Sequence, residues 1–68
     1  MLNGNSKHEM IQRGYSVETI DRNVHSTRGE GFALTIDQDI GKATVAGDLP
    51  DDLSDVVEMY CTDVDHIE

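Results

Sequence analysis

Cys61 is the one thiol of this 68-residue chain, and His8, His25 and His66 are its imidazoles. A cysteine beside a histidine is the arrangement of a nucleophilic thiolate, because the imidazole takes the thiol proton. Here Cys61 follows an apolar helical stripe and lies among acids. Acids raise a thiol's pKa, the wrong direction for a nucleophile, so a small core or boundary residue is expected. Zinc asks for Cys and His at short recurring spacings, and these histidines are scattered.

The carboxylates offer a second chemistry. Asp37-x-Asp39-x-Gly41 has the start of a calcium loop. An EF-hand needs oxygen donors at positions 1, 3, 5 and 12 and Gly at 6, whereas Gly41 stands at 5, Lys42 at 6 and Asp48 at 12. A hairpin turn with solvated Asp residues is the expectation. Asp63, Asp65, His66 and Glu68 are cation-binding types on a tail that lacks an outer layer of groups to hold them. Gly29-x-Gly31 lacks the third glycine of a dinucleotide loop. Paired acids on one helix face are ordinarily a solvated surface. A chain this short has little room for a pocket of about 300 Å³ or more. No catalytic residue, cofactor or metal site is expected, and the protein reads as a non-enzyme.

The charge is lopsided. The formal net charge is -9. Residues 1–30 balance Lys7, Arg13, Arg22 and Arg28 against Glu9, Glu18, Asp21 and Glu30; residues 31–68 set Lys42 alone against ten acids. Such a half-chain repels phosphate backbones and anionic lipid, and attracts cations or basic proteins. Direct nucleic-acid or membrane binding is therefore not expected. Arg13, Arg22 and Arg28 would suit a helix-turn-helix about Gly14, but Glu9, Glu18 and Asp21 beside them spoil the phosphate footprint. With a single cysteine there is no intrachain disulfide, and MLNGNSKHEM has no signal-peptide core. A cytoplasmic location is the expectation.

These residues are positioned by few elements. Residues 1–8 read as a loose tail and 9–13 as a helical turn with Met10 and Ile11 inward, ended by Gly14. Residues 15–24 fit a helix capped by Ser16, with Val17, Ile20 and Val24 on one stripe, or a strand rich in strand formers. The strand is preferred, because a lone hairpin is marginal in water and needs a third partner. Residues 25–31 read as a loop. Phe32, Leu34 and Ile36 share a face over 32–37, and Ala43, Val45, Gly47 and Leu49 share one over 42–49, with a turn between. Asp51 is the expected cap of a helix over 51–62, whose stripe is Leu53, Val56, Val57 and Tyr60. Residues 63–68 are expected to fray.

The sum is one small α+β domain over 1–68. Three antiparallel strands in a meander (about 15–24, 32–37 and 42–49) are covered by one C-terminal helix. The alternative is two short N-terminal helices, a hairpin and that helix. Two functions follow. One is a small protein-interaction or regulatory module that meets a partner with a basic surface through Asp51, Asp52, Asp55, Glu58, Met59 and Tyr60. A homodimer through open strand edges is a version of it. The other is an acidic inhibitor of the phage or mobile-element kind, imitating nucleic acid to block a nucleic-acid-binding protein. The plainer meaning of an acidic surface is solubility.

Overall fold

The computed structural model describes residues 6–67. Its elements are α1 (Ser6–Gln12), β1 (Val17–Asp21), β2 (Val24–Gly29), β3 (Phe32–Asp37), β4 (Lys42–Gly47), α2 (Asp51–Tyr60) and β5 (Asp63–Ile67). The architecture is α+β, a five-stranded sheet in the order β1-β2-β3-β4-β5 with two helices.

The alternation over 32–37 and 42–47 builds the centre. Leu34 pairs with Val45 and Ile36 with Ala43, and all four are buried on the face that meets the helices. From α2, Leu53, Val56 and Val57 fill the space above them, joined by Met10 of α1 and by Cys61. Tyr15, Val17, Phe32, Leu49 and Tyr60 pack around that cluster half-buried. Tyr15 and Phe32 meet edge to face, with ring centroids 6.2 Å apart.

Several expectations are corrected by the structure. The single strand over 15–24 is two, β1 and β2, turned at Arg22 and Asn23, so the expected loop 25–31 is mostly strand. The reason is polar residues facing inward: His25 and Thr27 are buried at alternate positions of β2, where apolar residues would have announced a strand. The helix α1 begins at Ser6, inside the expected tail, because the Gln38 carboxamide oxygen accepts from the Ser6 backbone N–H (2.9 Å) and Oγ (2.8 Å). Ile11, expected inward, is exposed beside buried Met10. The rest of the expected tail, residues 1–5, lies outside the described residues, as does Glu68.

The largest correction is the C-terminus. The residues expected to fray form β5, parallel to β4, with Lys42 opposite Asp63 and Ala46 opposite Ile67. Every residue of β5 is exposed, so no apolar pattern could reveal it. Backbone pairing places it instead. The Gly41 carbonyl accepts from the N–H groups of Thr62 (2.9 Å) and Asp63 (3.1 Å), which pins the start of the strand to the β3–β4 turn. Parallel pairing requires a crossover, and residues 48–62 with α2 supply it.

The last helix is close to expectation, ending at Tyr60 rather than 62. Its capping position is Pro50, not Asp51, with no side-chain cap. The Pro50 carbonyl accepts from Leu53 (3.0 Å) and Ser54 (2.9 Å), and Asp51 and Asp52 lie in the first turn where the helix dipole favours acids. Strand β4 stops at Gly47, short of the expected 49, because Gly47 takes φ 78°. A Cβ there would drive into the Gly31 carbonyl.

That close approach generates a test. Gly47→Ala meets both an unfavourable φ and a backbone collision, and is expected to lose roughly 2–4 kcal/mol. Gly14→Ala, at φ 92° with open space around it, is expected to lose about 1–2 kcal/mol. Urea midpoints of the two variants measure the difference. Equal losses would mean that the Gly47–Gly31 approach is not a constraint of the fold.

Candidate interaction surfaces

The helix α2 buries Leu53, Val56 and Val57 and turns Asp51, Asp52, Asp55, Glu58 and Met59 to solvent. Those five residues are brought together on one face, as their spacing requires. Met59 is 56% exposed, an apolar side chain set among carboxylates. Tyr60 is separated from them. It packs half-buried against the core, and its hydroxyl pKa is raised by burial and then by the Glu9 charge, with Arg13 opposing.

The neighbouring helix softens this acidity at one point. Arg13 forms an i,i+4 ion pair with Glu9. Its guanidinium is held above its ordinary pKa, first by the hydrogen bond to Glu9, with Asp52 and Asp55 adding smaller contributions. The α1–α2 contact therefore brings one cation toward the acids of α2.

The titratable residues of β5 divide between the two faces of the sheet. Asp63 and Asp65 pair in register with Lys42 and Thr44, on the face away from the helices, while His66 pairs with buried Val45 on the other. Consecutive strand residues alternate sides, so Asp65 and His66 diverge and cannot share an ion. Lys42 Nζ lies 3.1 Å from Asp65, and that hydrogen bond leads the rise of the Lys42 pKa. In the β3–β4 turn, Asp37 accepts from the Asp39 backbone N–H (3.1 Å), and Asp39 accepts from the Asn23 amide (2.7 Å). These carboxylates shape a turn. Among the described residues no group of three His, Cys, Asp or Glu is placed to hold a metal ion.

Cys61 is buried at the end of α2, where its N–H bonds the Val57 carbonyl at 2.8 Å. Burial raises its thiol pKa, and the Asp37 charge raises it further. It is a packing residue held as the thiol. A shallow open hollow of about 240 Å³ is lined by Ser16, Val17, Glu18, Ser26, Thr27 and Arg28. That falls below the ~300 Å³ where ligand pockets begin. No helix among the described residues is long and apolar enough to cross a membrane.

The inward polar residues of β2 were missed from sequence. Thr27 Oγ1 donates to the Ser16 carbonyl at 2.7 Å, and Thr19 Oγ1 shares a 3.3 Å hydrogen bond with His25 Nδ1. Their signal was the i, i+2 spacing of His25 and Thr27, which a purely apolar pattern search passes over. No buried side-chain nitrogen or oxygen among the described residues lacks a partner. Comparison with known proteins adds no family: no family model, no curated protein and no solved structure matches the chain.

His25 carries a pH consequence. Its pKa is lowered from 6.5, chiefly by desolvation and secondarily by the Lys7 charge. Above the unfolded value both states are neutral and stability is full. As pH falls through 6.5 the unfolded chain binds a proton that the folded chain resists, so stability declines. Urea midpoints from pH 7.5 to pH 5 are expected to fall in the native protein, and to fall less in His25→Val. Parallel slopes would assign the loss to other groups.

Proposed function

We propose that the protein is a small non-enzymatic interaction or regulatory module, and that the solvent face of α2 meets a partner protein with a basic surface. The observation that carries this reading is the constellation of Asp51, Asp52, Asp55 and Glu58 around exposed Met59. Four carboxylates attract and orient a cationic partner over a distance of about a Debye length. Methionine adds a flexible apolar contact that adapts to the surface it meets. The combination supplies steering and an anchor in one patch. Tyr60 packs against the core and is not part of this patch.

A second reading is the acidic inhibitor that imitates nucleic acid. At a rise of 1.5 Å per residue, Asp51 to Glu58 spans about 10 Å, or roughly one carboxylate per 3.5 Å. That is close to the 3.4 Å charge spacing of one DNA strand. The row covers only about three nucleotides, whereas non-specific single-strand grooves occupy about 4–16. The shortness of the row, and the apolar Met59 within it, favour the module.

A pull-down from host lysate at low and at high salt separates the two. A partner that survives high salt, and is lost when Met59→Ala is used as bait, is the expected outcome. Release at high salt with indifference to Met59→Ala would transfer the case to charge imitation. Joint replacement by Asp51→Asn, Asp52→Asn, Asp55→Asn and Glu58→Gln is expected to weaken capture in either case. Unchanged capture by that variant would remove α2 as the contact.

A further inference from the structure

The sheet ends in two edges of unlike character. At one end, β1 is irregular: its register with β2 shifts between Thr19 and Asp21, and the residue between, Ile20, has no partner in the ladder. A bulge of this kind twists an edge away from incoming strands. At the other end, β5 pairs with β4 without interruption from Asp63 to Ile67. Among the described residues nothing pairs with its outer side. In a parallel ladder, alternate backbone groups of an edge strand point away from the neighbour, which leaves a row of donors and acceptors open to solvent.

The side chains of β5 state what the edge would accept. Asp63 and Asp65 lie on one face, in register with Lys42 and Thr44, and Ile67 follows them on that face, 55% exposed. Val64 lies on the other face and is 40% exposed, because the two helices do not reach over β5. Lys42 already engages Asp65, and no further Lys or Arg occurs in the second half of the chain. A second copy is a poor occupant. Antiparallel self-pairing centred on Asp65 sets that carboxylate against its own copy, and each chain brings a net charge of -9. A strand with lysine or arginine opposite the two aspartates, and an apolar residue beside Val64 or Ile67, complements both sets of positions.

We infer that the outer edge of β5 receives an extended basic segment of a partner protein as a sixth strand. Main-chain hydrogen bonds hold the segment, and its alternate cations and apolar residues fix its register. The acids of α2 raise the local concentration of such a segment without bonding it. This inference rests on the interaction-module reading and adds to the α2 face a second contact, the β5 edge, with the partner chemistry it would take.

The test uses the full chain and two capped synthetic peptides of equal charge. One is Lys-Val-Lys-Thr-Lys-Val-Lys, which can extend as a strand; the other is Lys-Pro-Lys-Thr-Lys-Pro-Lys, in which each proline removes a main-chain donor and disfavours a central strand. Backbone amide shifts and hydrogen exchange locate each peptide. The expected result is slowed exchange confined to the amides of β5, with the proline peptide binding about tenfold more weakly or worse. Asp63→Lys, which spares the Lys42–Asp65 pair, is expected to weaken the first peptide by about tenfold with far-UV circular dichroism unchanged. Equal binding of the two peptides, perturbation confined to α2 or to β1, or no binding overturns the strand-addition site. The wider reading is judged separately: a native partner that footprints on α2 alone keeps the module and overturns the edge, whereas unchanged capture by the α2 variant together with peptide binding at β5 overturns the α2 contact and keeps the edge.

Discussion

The apolar residues of this chain suffice for one buried layer, and that limit governs the rest of the structure. The core is Met10, Leu34, Ile36, Ala43, Val45, Leu53, Val56, Val57 and Cys61, which together cover the middle of one sheet face. A chain of this length buries only about 60% of its unfolded surface, so both helices must serve the same face. The N-terminal helix contributes one fully buried apolar side chain, Met10, and depends on a polar tie as well. Gln38, in the β3–β4 turn, supplies it by accepting two hydrogen bonds from Ser6. The turn that joins the central strands thus also fixes the start of α1, while its Gly41 carbonyl fixes the start of β5. One four-residue turn positions both ends of the described chain.

Because the core is narrow, the flanks of the sheet are built from other materials. On the β2 side, His25 and Thr27 take inward positions that a larger protein would give to aliphatic residues. Burying them is tolerable because their polar atoms find partners in β1 and in the residue before it. On the β5 side every residue of the strand is exposed among the described residues, and the strand is held by its ladder with β4 and by the Lys42–Asp65 contact. An exposed ion pair of this kind contributes little by itself, so the backbone ladder carries the attachment.

The same division explains what the sequence disclosed. The hairpin of β3 and β4 and the helix α2 were legible because apolar residues recur with periods of two and 3.6, and burial follows those periods. The acidic face of α2 was legible for the same reason, being what the apolar stripe leaves over. Tyr60 was placed both in the stripe and at the contact, and the core claims it. What escaped was whatever rests on polar or backbone contacts between distant residues. The β1–β2 hairpin is organised by the inward Thr27 hydroxyl and the His25 imidazole, α1 by Gln38, and β5 by the Gly41 carbonyl of a turn far earlier in the chain. Local composition records none of these pairings.

The uneven charge acquires a spatial meaning in this fold. The crossover through α2 covers the middle of the sheet and returns the chain to the edge beside β4, where β5 carries Asp63 and Asp65. The balanced first half of the sequence forms β1 and β2 at the other end. The two edges are also guarded differently, β1 by an irregular register and β5 by carboxylates. A bulge deters every incoming strand alike, because it spoils the geometry of the ladder. Carboxylates deter selectively: they repel a second acidic copy and attract a basic segment. An edge protected by charge disfavours pairing with a second acidic copy and suits the basic segment proposed as its occupant.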